Sequence, residues 1–410
     1  MQTVLKPADA AQVAEAVAWA VSEETPLEVL GTGSKRGLGR PVQAGHALDL
    51  SALSGIVLYE PEELVLSAGA GTPLAEIEAV LAARRQQLAF EPPDLGPLYG
   101  RPAGAGTIGG VLACNLAGPR RIKAGAARDH FLGFKAVNGR GEAFKAGGRV
   151  VKNVTGYDLC KLMAGSYGTL SVLTEVTLKV LPAPEKTRTV LLLGLADDEA
   201  VHAMTRALQS SHEVSGAAHL PAPVAAVSPV GPVSRAGAAV TAVRIEGPGP
   251  SVEFRCAALR RELAAFGGAT EELHSRSSVE LWRSLRDLTP FAGDDRHPIV
   301  WRLSVPPAAG ARIVAALAPL GEFRYFYDWG GGLIWLALPS GSADAGAREV
   351  RAALAATGGH ATLVRAPDET RLAVPVFQPQ PEPVAALGRR LKESFDPRGI
   401  LNPGRMSANL

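Results

Sequence analysis

The chain has 410 residues, 47% hydrophobic and 20% charged, a balance that suits a globular enzyme of two or three domains with a core large enough to need no staples. A net charge of +2 and an aromatic content of 5% argue against a nucleic-acid partner. Cys114, Cys160 and Cys256 are far apart and form no C-x-x-C pair, which excludes an encoded iron–sulfur cluster or zinc ribbon and suits a reducing compartment.

The N-terminal MQTVLKPADA has no apolar run behind a basic start, so no signal peptide is expected. No uncharged apolar stretch reaches about 18 residues, so no membrane span is expected. The expected location is cytoplasmic, with any attachment to the inner face of a membrane made through partners. Residues 8 to 22 predict a helix, with Asp9 as cap, Gln12 at the capping-box position and Val13, Val17 and Val21 on one face. LEVL at 27 to 30 predicts a short buried strand. It runs into the glycine-rich GTGSKRGLG.

The spacing there fits no standard nucleotide loop. Gly31, Gly33 and Gly37 place the third glycine one residue late for a dinucleotide fingerprint. Ser34 precedes Lys35, the reverse of a Walker loop. Gly37, Gly39 and Pro41 break the following stretch, so no helix opens here. Without that helix, Asp49 is no ribose-binding acid. What remains is either an anion nest of backbone N–H groups or an ordinary tight turn.

GIVLYEPEELVLSAGAGTP predicts two strands around Pro61. A helix follows to about Leu88, with Thr72 as cap, Pro73 as first residue and Leu74, Ile77, Leu81 and Leu88 inward. Residues 91 to 129 read as a long, irregular segment, which is usually functional inside a compact domain. HFLGFKAVNGRGEAFKAG predicts a hairpin turning at Asn138-Gly139. KNVTGYDLCKLMAGSYGTLSVLTEVTLKVLP predicts a short helix, a glycine turn and a strand with Val172, Thr174, Val176 and Leu178 on one face. From Pro182 and Pro184 to about residue 375, strand-like runs alternate with alanine-rich helices, an α+β pattern. Residues 216 to 240 are expected to be partly loop. A last helix at about 382 to 395 precedes FDPRGILNPGRM.

Four separated segments are small, glycine-rich and set after strands: GTGSK at 31 to 35, GTIGG at 106 to 110, AGSYGTLSV at 164 to 172 and the C-terminal LNPGRM. A ligand wrapped by backbone amides from several loops is long and polyanionic, as a dinucleotide is.

On these blocks the first 180 or so residues resemble the FAD-binding domain of the vanillyl-alcohol oxidase and p-cresol methylhydroxylase (PCMH) superfamily. GTIGGVLACNLAGPRRIKAGAARDHFLGFKAVNGRGE is similar to its second pyrophosphate loop. The 152–182 block and FDPRGILNPGRM are similar to its 2-hydroxy-acid dehydrogenase branch. GPRR, WRLSVP and GGHATLVRA most resemble the FAD-binding accessory subunits of bacterial glycolate oxidases. The resemblance covers nearly the whole chain. It implies an α+β fold: a two-lobed PCMH-type FAD-binding domain at 1–184, an α+β cap at 185–375, and a segment at 376–410 packing back on the FAD domain.

The resemblance also implies site residues. Gly31, Thr32, Gly33 and Ser34 would hold the pyrophosphate from one side, and Gly106, Thr107, Ile108, Gly109 and Gly110 from the other. Asn115, Gly118, Arg128 and Asp129 would shape the pocket behind. Ser166, Gly168, Thr169 and Val172 would surround the adenine and ribose, and Asn402 would reach toward the flavin ring. The first loop has no His for a covalent tether, so noncovalent FAD is expected.

Members of this branch that oxidise 2-hydroxy acids resemble one another in a G-D-G-N-x-H strand and an E-H-G turn, whose histidines serve the substrate and accept its proton. Here Ile334 in WGGGLIWLAL stands where the first His would be, and Ile cannot take a proton. In GGHATLV, Gly359 replaces the acid and His360 remains. Arg286 in LWRSLRDL and Arg302 in VWRLSVP are the remaining candidates for a carboxylate site with His360. The plainer alternative makes His360 a turn residue and Arg302 a surface or subunit contact. The FAD half is kept and the substrate half eroded.

The leading expectation is a FAD-binding subunit of a complex oxidising glycolate, a small 2-hydroxy acid, to glyoxylate. It would work beside a second FAD-containing catalytic subunit and an iron–sulfur subunit. A self-sufficient D-lactate-like dehydrogenase and a noncatalytic structural subunit are the alternatives. An amino-sugar reductase shares the FAD fold, but the cap blocks point away from it.

Overall fold

A computed structural model describes residues 2–149, 156–341 and 344–408. The chain divides into two compact units. The first comprises residues 1–117, 125–183 and 375–410, and the second residues 118–124 and 184–374.

The first unit is built on two sheets. A three-stranded parallel sheet orders Thr3–Leu5, His46–Asp49 and Leu27–Leu30. The helix Ala10–Ser22 covers it with Val13, Val17 and Ala20, while Val21 is only half-buried. Asp9 caps this helix by accepting from Gln12 N at 2.9 Å. The reciprocal bond runs from Ala8 N to the Gln12 side chain, one residue before the cap. A five-stranded antiparallel sheet orders Ile56–Glu60, Val65–Gly69, Ser171–Lys179, Phe131–Asn138 and Ala143–Gly147. Its central strand Ser171–Lys179 is buried on both faces except at Glu175 and Lys179, so the alternation read from the sequence understates its burial.

The C-terminal segment belongs to this unit. The helix Glu382–Phe395 leads to Leu401, which lies parallel to Leu27. Leu27 N donates to Ile400 O at 2.8 Å, and Asn402 N donates to Leu27 O at 3.0 Å.

Three local expectations are corrected. The helix after Pro73 spans Leu74–Ala82 and stops six residues short of Leu88. Arg85 takes a left-handed backbone, and Gln86-Gln87 then pair with Leu181-Pro182. Thr72 does not cap it, because its hydroxyl is spent on the Gly69 carbonyl at 2.7 Å and on Gly55 N at 2.9 Å. Residues 91–129 are not simply irregular: they hold short helices at Ile108–Ala113, Arg121–Ala124 and Ala127–His130. The first forms despite its glycines because Ile108, Val111 and Leu112 are fully buried. The KNVT part of the 152–182 block lies outside the described residues.

The second unit holds an open eight-stranded antiparallel sheet. Its order is Thr270–His274, Lys186–Leu193, Val240–Gly247, Gly216–Leu220, Arg324–Asp328, Leu333–Leu338, Ile299–Ser304, His360–Arg365. Helices Asp197–Gln209, Gly249–Leu263 and Ser275–Arg286 pack against it through their buried residues. The 216–240 segment is a strand followed by two helices of one turn each. Among the described residues, no helix is long and apolar enough to cross a membrane.

Candidate functional site

The first unit contains an open cleft of about 790 Å³, counting its mouth. One wall is the loop after strand Leu27–Leu30. The backbone N–H groups of Gly31, Thr32, Gly33 and Ser34 find no acceptor among the described residues, which is the condition for an anion nest. Thr32 donates its hydroxyl to the Ala105 carbonyl and ties this loop to the second glycine loop. Gly31 allows that approach: a Cβ there would stand 2.7 Å from Thr107 Oγ1.

The opposite wall comes from the 164–172 turn and the C-terminal tail. Gly168 has φ +69°, and a Cβ on it would lie 2.8 Å from Asn402 Nδ2. Asn402 is 2% exposed. Its Oδ1 accepts from Val29 N and its Nδ2 donates to Tyr167 O, both at 2.8 Å. The side-chain amide is therefore spent on backbone, and Asn402 shapes the wall instead of reaching toward a ring.

Charge is arranged around the nest. Arg36 donates to both carboxylate oxygens of Glu28, and Arg405 lies 3.8 Å from the same group. Burial alone would raise the Glu28 carboxyl, but hydrogen bonds from Arg36 and Gln2 and the charges of Arg36 and Arg405 hold it below its ordinary range. Lys35 lines the cleft without such a partner. Amide donors from one loop, glycines where two walls approach closely and a basic margin together fit FAD, whose diphosphate needs all three.

The structure gathers Gly31, Thr32, Gly33, Ser34, Thr107 and Gly109 on this cleft, with Gly110, Ser166, Gly168 and Asn402. Others stand behind it. Gly106 O accepts from Leu74 N at 2.9 Å, and Ile108 and Val172 are core residues. Asn115 accepts from Arg128 N at 3.0 Å, Asp129 accepts from Ala126 N at 2.8 Å, and the Thr169 carbonyl accepts from Lys392. Gly118 belongs to the second unit, where its carbonyl accepts the Trp329 indole N–H at 3.1 Å, and it is not among the residues lining this cleft. Sequence reasoning missed Lys35, Tyr167 and Arg405. Lys35 adjoins the first glycine loop, but the failed Walker order drew attention away from it.

In the second unit Arg302 and His360 fall on one face of the sheet, whereas Arg286 is engaged elsewhere. Arg302 lies across from Thr362, and the exposed His360 across from Ser304, two residues along the same face. The Arg302 guanidinium stacks 5.1 Å over the Trp329 ring, which Arg121 also approaches at 4.4 Å. Arg286 makes a bidentate pair with its own neighbour Asp287 at the end of its helix. Ile334 is fully buried and pairs with Leu303 and Tyr327 in the ladder. The GPRR segment has a clear role here. Arg120 grips Glu246 at 2.9 and 2.8 Å, with Arg244 at 3.7 Å. Burial would raise the Glu246 carboxyl, but Arg244 and Arg120 hold it down at about 2.

The family model of the FAD binding domain matches residues 1–147, and that of the C-terminal domain of FAD linked oxidases matches residues 379–406. The chain is 36% identical over 399 residues to the glycolate oxidase subunit GlcE of Escherichia coli (strain K12), covering 97% of each chain. It is 29% identical over 191 residues to the glycolate oxidase subunit GlcD of Bacillus subtilis (strain 168), covering 46% of this chain and 39% of that one. Its fold is similar to the solved 4-ethylphenol oxidase from Gulosibacter chungangensis, with a TM-score of 0.71 at 14% identity, covering 99% of this chain and 89% of that one.

Proposed function

The chain belongs to the GlcE family of FAD-linked glycolate oxidase subunits, and on that basis we propose that it is the flavin-carrying subunit of a complex that oxidises glycolate to glyoxylate. The electrons leave through an iron–sulfur partner, and a second FAD-containing subunit performs the hydride step. When bound, FAD accepts a hydride and releases electrons singly. The loop Gly31–Ser34 would hold its diphosphate on backbone amides, with Gly109 and Gly110 facing it. The Gly168 turn and the tail at Asn402 would close the other wall.

One observation carries the division of labour. The cleft is complete, while the ladder position that resembles the proton-accepting histidine is Ile334, fully buried among Leu303 and Tyr327. A 2-hydroxy acid that loses hydride must also lose its hydroxyl proton. Ile334 has no atom to take it. In this reading the proton-accepting group belongs to a partner chain.

The test is the absorbance spectrum of the purified chain before and after anaerobic glycolate, alone and with its partner subunits. Flavin bands that stay unbleached until the partners are added are the expected result. Bleaching by glycolate in the isolated chain would make it a self-sufficient 2-hydroxy-acid dehydrogenase. No bands, with added FAD also failing to bind, would make it a noncatalytic structural subunit.

A further inference from the structure

Three cationic side chains line the cleft: Lys35, Arg36 and Arg405. The two arginines share the Glu28 carboxylate. Lys35 differs. Among the described residues its ammonium makes one hydrogen bond, to Ser34 Oγ at 3.3 Å, and no carboxylate lies within 4 Å. An ammonium has three donors, so two are left for a ligand. Its location is specific. Nζ stands 3.4 Å from the point where a Cβ would sit on Gly106, and 3.4 Å from that point on Gly110. It therefore projects from the first glycine loop onto the second. The Lys35 carbonyl accepts from Arg405 Nη2 at 3.3 Å and from Leu38 N at 3.0 Å, which fixes the backbone behind the side chain.

An under-solvated ammonium is costly unless an anion meets it. Burial pulls the Lys35 pKa down, and electrostatic interactions with Cys114 and Asp94 oppose this only in part. The group is thus held ready for negative charge at the point where two amide-rich loops converge.

We infer that the Lys35 ammonium is the counter-ion of the ligand diphosphate in this cleft, donating to its oxygens between the first and second glycine loops. The inference rests on the flavin reading above. It assigns the charge match to a side chain, where the loops by themselves offer only backbone dipoles. Ser34 completes the arrangement: its hydroxyl accepts from Lys35 and keeps its own proton for the ligand.

The test uses the flavin-depleted full chain and its Lys35→Met variant, titrated with FAD, ADP and riboflavin by fluorescence and competition. FAD and ADP affinities are expected to fall about 10- to 100-fold in the variant, the loss of a charge-assisted contact, while riboflavin affinity is unchanged. Unchanged FAD and ADP affinities would overturn the inference. So would an equal loss for riboflavin together with a shifted flavin midpoint potential, which would place Lys35 at the ring. Wild-type protein that binds no FAD or ADP would overturn both this inference and the flavin reading. Should the variant fail to fold, wild-type protein still decides. ADP affinity should fall as pH rises above neutrality and the lysine, its pKa pulled below the ordinary range by burial, loses its proton, and a flat profile would overturn the assignment.

Discussion

Lys392 and Asp396 form a buried ion pair, with Nζ 2.6 Å from Oδ2, where the C-terminal helix ends. The remaining donors of Lys392 go to the carbonyls of Thr169 and Leu401, each at 2.8 Å. Asp396 accepts from Ile400 N at 3.0 Å and Leu401 N at 2.8 Å. One pair thus joins the GSYGT turn to the tail that carries Asn402. Lys392 is the single buried residue of its helix among those described, so the helix is anchored by charge more than by apolar packing.

Replacing Lys392 with Met leaves Asp396 buried without its cation. The expected cost is about 3 kcal/mol or more, since breaking a buried pair strands a charge. Lys392→Met should lower the urea midpoint of the apo-protein and weaken FAD binding. The double variant with Asp396→Asn should recover part of the stability. A single variant as stable as wild type would refute the anchor.

Asn402→Leu removes the acceptor for Val29 N and the donor to Tyr167 O. These backbone groups are half-buried at the cleft, so leaving each unpaired costs at most about 1–3 kcal/mol. Gly168→Ala tests the same wall from the other side, since its Cβ would collide with the Asn402 amide. Both variants should raise the FAD dissociation constant at least about tenfold, measured by flavin fluorescence. Unaltered binding in both would show that the wall is not part of the cofactor site.

The Arg120–Glu246 pair predicts an acid limb of stability. Glu246 has a pKa of about 2 in the folded chain against an ordinary 4.5. A depressed carboxylate stabilises the fold above its unfolded pKa, and that contribution is lost as pH falls from about 4.5 through about 2. Linkage puts the contribution at roughly 3 kcal/mol. Urea unfolding between these pH values should show the loss for wild type. Glu246→Gln should be less stable at neutral pH and lose less over the same window, the remaining slope coming from other depressed carboxylates such as Glu28.

His360 is exposed at the first position of its strand, on the face it shares with Arg302. His360→Ala is expected to leave kcat/KM of the assembled complex for glycolate within about twofold, the range of surface substitutions remote from the chemistry. A loss of about a hundredfold or more, the usual cost of a missing general base, would restore His360 as a proton acceptor.

The sequence by itself determined the local elements and the chemistry they serve. Helix capping at Asp9, the strand into GTGS and the final helix at 382–395 rest on short-range rules, as dihedral preference and hydrophobic period act within a few residues. The glycine blocks also announced a dinucleotide, because backbone exposure is written in composition. Tertiary structure decided the rest. Helix Leu74–Ala82 ends early because Gln86-Gln87 find a strand partner nearly a hundred residues away at Leu181-Pro182, which no local signal encodes. The assignment of Gly118 to the second unit, the spending of the Asn402 amide on Val29 and Tyr167, and the pairing of Arg36 and Arg405 with Glu28 depend on long-range contacts. Those contacts also set Lys35 apart as the cation without a carboxylate, since charge balance in a cleft is a property of groups brought together by the fold.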